Sequence, residues 1–113
     1  MIEASCHCGA VRFTVETAPA EVTDCNCSIC RRYGTLWAYY LSPSVRFAED
    51  NGPTDIYMRG EHHVEFHRCH TCGCVTHWSS VDPTKKRMGV NARLMDPQVL
   101  AAATVDLCDG ASW

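Results

Sequence analysis

The chain has 113 residues, 46% of them hydrophobic and 20% charged, with a formal charge of −3. This describes one globular domain over residues 1–113 with a modest core; the acidic balance argues against a nucleic-acid partner, and no apolar run approaches the roughly 18 residues a membrane-spanning helix needs. The nine cysteines are odd in number and the N-terminus, MIEASCHCGAV, shows no secretory leader, so a cytoplasmic setting with metal-binding thiols is expected in place of a disulfide framework.

Taken in chain order, Cys6-His7-Cys8-Gly9 opens a strand over residues 10–16, where Val11, Phe13 and Val15 alternate with Arg12, Thr14 and Glu16. Asp24-Cys25-Asn26-Cys27-Ser28-Ile29-Cys30 follows, with a short helical turn around residues 28–33 that carries Arg31 and Arg32. Residues 35–41 (TLWAYYL) are apolar or aromatic throughout, the pattern of a strand covered on both faces. A turn at Asp50-Asn51-Gly52-Pro53 precedes two short strands, 55–59 and 62–68, joined by a tight turn at Gly60-Glu61. His63, Glu65 and His67 would share one face of the second strand and be solvated there. Cys69-His70-Thr71-Cys72-Gly73-Cys74 has the form of a zinc knuckle, its glycine permitting the tight turn before a strand at 74–80. Beyond Asp82-Pro83, residues 86–94 point Met88, Val90, Ala92 and Leu94 inward. Asp96-Pro97 is the one convincing helix start, an N-cap followed by proline at the first helical position, and it runs to about Ala102. Residues 104–108 form the last strand. The expected fold class is mainly β: a small zinc-bound single domain of short antiparallel sheets with one or two short helices.

The cysteine clusters carry the chemistry. Cys6 and Cys8, paired with Cys69 and Cys72, close a four-sulfur structural zinc site across more than sixty residues of chain. Cys74 is an alternative ligand to Cys72 or a neighbouring thiol, and Cys108 reads as a packed thiol. The middle cluster offers Cys25, Cys27 and Cys30, and three ligands with an open position describe a catalytic zinc. Two zinc ions per chain are therefore expected, and loading both takes the net charge to about −6. Two alternatives stay open for the middle cluster: closure by one of His7, His62, His63, His67, His70 or His77, and a redox-active thiol group.

An open thiolate-rich zinc suits binding and deprotonation of an external thiol, which can then add to a small carbonyl compound as a hemithioacetal. Arg31 and Arg32, next to the third thiol, are placed to bind a carboxylate of a peptide thiol. The opposing readings are a zinc-stabilised binding module, whose best surface would be Trp37, Tyr39 and Tyr40 if exposed, and a thiol-based redox or metal-handling protein. The cluster Lys85-Lys86-Arg87 reads as solvated surface charge.

In its motifs the chain resembles the family of glutathione-dependent formaldehyde-activating enzymes, which includes centromere protein V. The matching pieces are Cys6-x-Cys8-Gly9, Cys25-x-Cys27-x-x-Cys30-Arg31-Arg32, Cys69-x-x-Cys72-Gly73, Asn91-Ala92-Arg93-Leu94 before Asp96-Pro97, and the tail Asp109-Gly110-Ala111-x-Trp113. The resemblance covers essentially the whole chain. It implies a β-tent fold, a structural zinc on Cys6, Cys8, Cys69 and Cys72, and a catalytic zinc on Cys25, Cys27 and Cys30. It also implies a carbon–sulfur lyase reaction in which glutathione adds to formaldehyde to give S-(hydroxymethyl)glutathione. Two departures stand out: Asn26 occupies a place where the family commonly has histidine, and Gly73 is followed by Cys74 where serine is usual.

Overall fold

The structure, a computed structural model, describes residues 1–60 and 62–112. Glu61 of the expected tight turn and Trp113 of the tail lie outside the described residues. Alternation becomes a strand at Arg12–Val15 (β2), where Phe13 and Val15 turn inward and Arg12 outward. This strand pairs antiparallel with Ile2–Ser5 (β1) on one side and Val45–Phe47 (β5) on the other. The result is a three-stranded sheet ordered β1-β2-β5.

The second sheet has seven strands: Glu21–Cys25 (β3), Trp37–Leu41 (β4), Thr54–Tyr57 (β6), Val64–Cys69 (β7), Val75–Ser80 (β8), Arg87–Asn91 (β9) and Thr104–Cys108 (β10). Their order is β10-β3-β4-β9-β8-β7-β6. The neighbours run antiparallel except β10 and β3, which lie parallel from Thr104 opposite Glu21 to Cys108 opposite Cys25. The sheets are thus mostly antiparallel, with this one parallel pair at the edge. A long connection separates its strands, so no hairpin forces them to run in opposite directions. Two short helices complete the chain, Cys30–Tyr33 (α1) and Pro97–Ala102 (α2). The second starts where the sequence places it, with the Asp96 carboxylate accepting the Gln98 amide at 2.8 Å.

The main core gathers Phe13, Val15, Val22, Ala38, Val90 and Met95 between the sheets. Smaller apolar clusters surround the cysteines, one built on Trp37 and Phe66 and the other on Val11. Strand β4 is covered on both faces only at its start. Trp37 and Ala38 are buried, whereas Tyr39 and Leu41 are 37% and 61% exposed on one face while Tyr40 on the other still packs against the main core. Among the described residues no helix is long and apolar enough to cross a membrane.

Candidate metal centres

The first centre joins two tight turns. Cys6 follows β1 and Cys8 sits in the next turn, which reverses at Gly9 with φ +82°. Cys69 ends β7 and Cys72 lies in a turn that reverses at Gly73 with φ +80°. Both glycines stand in the left-handed region, where a side chain would be strained. The four sulfurs lie within 4.8 Å of one another, with Cys6–Cys8 at 3.7 Å and Cys8–Cys69 at 3.6 Å. A tetrahedron with metal–sulfur bonds of about 2.3 Å has edges of about 3.8 Å, so this spacing fits a tetrahedral zinc. Backbone amides point at the sulfurs: Val11 donates to Cys6 at 3.3 Å and Ala10 to Cys8 at 3.4 Å. The amides of Cys74 and Cys8 hold the Cys72 thiol down to about 5, making it a ready thiolate. Cys72 completes the group and Cys74 packs beside it.

The second centre is smaller. Cys25 ends β3, Cys27 lies in the following loop, and Cys30 begins α1. Their sulfurs also lie within 4.8 Å of one another. The Cys30 amide donates to Cys27 Sγ at 3.4 Å and the buried Trp37 indole N–H to Cys30 Sγ at 3.3 Å. Burial pushes Cys30 up to about 12 and raises Cys25. Burial also opposes ionisation of Cys27, but hydrogen bonds from Cys30 and Cys25 outweigh it and lower its pKa. This donor set, all sulfur and pinned by N–H groups, suits a soft or borderline cation.

No histidine or carboxylate joins these three thiols among the described residues. The histidines are placed elsewhere: His67 and His77 stack at 4.1 Å, His70 contacts Asp55 at 3.1 Å, and His7, His62 and His63 are exposed. The expectation of a solvated His67 is corrected. It is half-buried between the Thr54 and Ser79 hydroxyls, 3.0 Å from each.

The C-terminal turn, Gly110–Ser112, marked in sequence only as part of the tail that resembles the family, leans on the three thiols. A Cβ on Gly110 would lie 2.7 Å from Cys25 Sγ. Asn26, visible in sequence only as a departure from the family pattern, ties this turn down. Its Nδ2 donates to Asp109 at 2.9 Å and its Oδ1 accepts the Ala111 amide at 2.9 Å. Cys108 packs against the same cluster without entering the three-thiol group.

Of the two arginines, Arg32 donates to the Ser28 carbonyl at 2.8 Å and lines a pocket of about 640 Å³ beside the Cys27–Cys30 loop. Arg31 is exposed and does not line it. The aromatic surface expected of a binding module does not form. Trp37 is buried, Tyr39 packs edge-on to Trp78 beneath the Arg87 guanidinium, and Tyr40 donates to the Thr17 carbonyl.

A family model described as glutathione-dependent formaldehyde-activating enzyme matches residues 1–107. A protein of Halomonas elongata, provisionally named a glutathione-dependent formaldehyde-activating enzyme, is 54% identical over 45 residues. That match covers 39% of this chain and 29% of the relative, so the chain spans less than a third of its length. The crystal structure of a Rhodobacter sphaeroides protein superposes with a TM-score of 0.73 at 26% identity, covering 93% of this chain and all of the other.

Proposed function

Because the chain belongs to the glutathione-dependent formaldehyde-activating enzyme family, we propose that it joins a thiol such as glutathione to a small aldehyde such as formaldehyde. In this reading it is a carbon–sulfur lyase of the S-(hydroxymethyl)glutathione synthase type, working as a single cytoplasmic domain over residues 1–113. Cys6, Cys8, Cys69 and Cys72 hold a structural zinc; Cys25, Cys27 and Cys30 hold a catalytic one. The observation that carries the reading is the contrast between the two groups: four thiols gather in one, enough to fill a tetrahedral zinc, and three in the other, which would leave a bound zinc one position that no described residue fills.

Cys25, Cys27 and Cys30 would hold a zinc there, and a zinc so bound would lower the pKa of an incoming thiol from about 8.5. The remaining work falls to the chain. The Cys30 amide and Trp37 indole take up part of the negative charge of the sulfurs. Asn26 anchors the C-terminal turn, and Gly110 leaves that turn room to lie against the thiols. Arg32, which lines the pocket beside the loop, presents its guanidinium to a carboxylate of the thiol substrate, and Arg31, exposed on α1 outside that pocket, adds positive charge to its approach. In the addition the thiol sulfur bonds to the carbonyl carbon, the C=O π pair moves to oxygen, and the thiol's proton ends on that oxygen. Nothing is oxidised or reduced.

Cys27→Ser tests this reading. Elemental mass spectrometry should find zinc falling from about two ions per chain to about one, as expected of a lost three-thiol site. The circular dichroism spectrum should be retained, and adduct formation should drop to the uncatalysed rate. Full thiol–aldehyde activity in that variant would remove the three thiols from the reaction.

A further inference from the structure

The pocket beside the three thiols is strongly cationic in an acidic chain. It lies between the Cys27–Cys30 loop, which contributes Ser28 and Ile29, and the β6–β7 hairpin, which contributes Tyr57, Arg59 and Arg68; Arg32 and Tyr33 come from α1. Three of the chain's ten lysines and arginines thus converge on one cavity, with no Asp or Glu among the described residues that line it. Like charges so gathered repel one another, and such an arrangement is favourable where an anion completes it.

The charge count is uneven in a useful way. Arg68 is 4.0 Å from Asp55, so part of its charge is already balanced. Arg32 donates only to a neutral carbonyl, and Arg59 has no carboxylate partner among the described residues. About two positive charges are left for a ligand. The rest of the wall is apolar or aromatic: Ile29, Tyr57, and Tyr33, whose ring packs on Phe66 at 5.7 Å and so belongs to the apolar cluster around the thiols. A volume of about 640 Å³ falls within the range usual for small-molecule sites.

We propose that this pocket holds the thiol substrate by two carboxylates, gripped by Arg32, Arg59 and Arg68, and so selects peptide thiols that carry two carboxylates over those that carry one or none. The proposal rests on the thiol–aldehyde reading above and adds Arg59, Arg68 and the β6–β7 hairpin to it. Guanidinium forks grip planar carboxylates in pairs of hydrogen bonds, which explains arginine here in place of lysine.

The test uses S-methylglutathione, which keeps both carboxylates but has no thiol to ionise, titrated calorimetrically into the zinc-loaded full chain. Arg59→Gln and Arg68→Gln should each raise its Kd tenfold or more, and Arg68→Lys should fall between wild type and Arg68→Gln. Arg46→Gln, which removes the same charge from β5, should leave the Kd unchanged. Esterifying one carboxylate of the ligand should weaken wild-type binding by a similar factor. Absence of binding to wild type, or binding indifferent to Arg59→Gln and Arg68→Gln, would overturn the pocket assignment even if thiol–aldehyde adducts form normally. Arginine-dependent binding without any adduct formation would uphold the pocket and remove the catalytic reading instead.

Discussion

Gly110 stands where a single methyl group would strike sulfur. A Cβ there would lie 2.7 Å from Cys25 Sγ and 3.0 Å from Cys27 Cβ, well inside the contact distance of about 3.5 Å. Its φ is not left-handed, so space, and not backbone freedom, requires the glycine. The turn cannot simply lift away, because Asn26 holds it through Asp109 and Ala111 and through its own amide on the Cys108 carbonyl at 3.1 Å. Gly110→Ala should therefore displace Cys25 or Cys27 and weaken the second metal site, while the four-thiol site keeps its ion. Elemental analysis after gentle dialysis against a weak chelator reads this directly: about one zinc per chain is expected against about two in the wild type, on the ligand counts of the two groups. Equal retention by both proteins would show that the turn yields instead. The cysteine spacing made the two thiol groups legible in sequence, whereas Gly110, quoted there only as part of the tail that resembles the family, carried no sign of this contact.

Between strands the same kind of close approach recurs, this time with an aromatic ring. Gly89 of β9 faces Trp78 of β8 on one side and Tyr39 of β4 on the other. The two aromatic rings meet edge-on at 6.1 Å, and a Cβ on Gly89 would come within 2.1 Å of the Trp78 indole nitrogen. The indole fills the space above the glycine and supplies the packing that a strand glycine lacks. Gly89→Ala should force that ring out and cost about 1–3 kcal/mol, a Tm drop of several degrees at roughly 4–8 °C per kcal/mol, with an altered near-ultraviolet tryptophan signal. An unchanged Tm would mean that the ring swings aside without loss. Strands with clean alternation or a flanking knuckle, β2, β8 and β9, were readable from sequence, as was α2 from its Asp96 cap and Pro97. Strands β1, β3 and β5 were not. In β3 the adjacent residues Val22 and Thr23 are both buried, which erases the period of two, and β5 has three residues. The parallel register of β10 on β3 pairs Thr104 with Glu21, and no local signal encodes a partner so distant.

At the scale of the molecule, two contacts reinforce the main core in joining the two sheets. The first is the four-thiol centre, where Cys8 and Cys69 meet across 61 positions of chain. The second is an aromatic seam: Phe47 of the three-stranded sheet packs on His77 at 4.5 Å, and His77 stacks on His67 at 4.1 Å, nearly parallel. His77 is 8% exposed, and burial, with the neighbouring His67 adding to it, pushes its pKa from 6.5 down to about 3. What faces its ring is the Thr76 hydroxyl, 2.8 Å from Nδ1, and the rings of Phe47 and His67; Glu65 lies against His67, 3.6 Å away. The folded chain thus keeps His77 neutral, while the unfolded chain protonates it below pH 6.5. Above that pH the ring imposes no penalty, and stability falls as pH drops through the window from 6.5 toward 3. The loss attributable to His77 should reach roughly 2–3 kcal/mol by about pH 4.5. His77→Phe keeps a ring in the seam and removes the proton, and the Thr76 hydroxyl retains the His67 carbonyl at 3.3 Å as its acceptor. Urea midpoints at neutral pH and near pH 4.5 should therefore diverge less in His77→Phe than in wild type. Acid release of metal from the thiols affects both proteins alike, so the difference between the two pH profiles isolates the histidine. Parallel profiles would mean that this ring does not couple the joint between the sheets to pH.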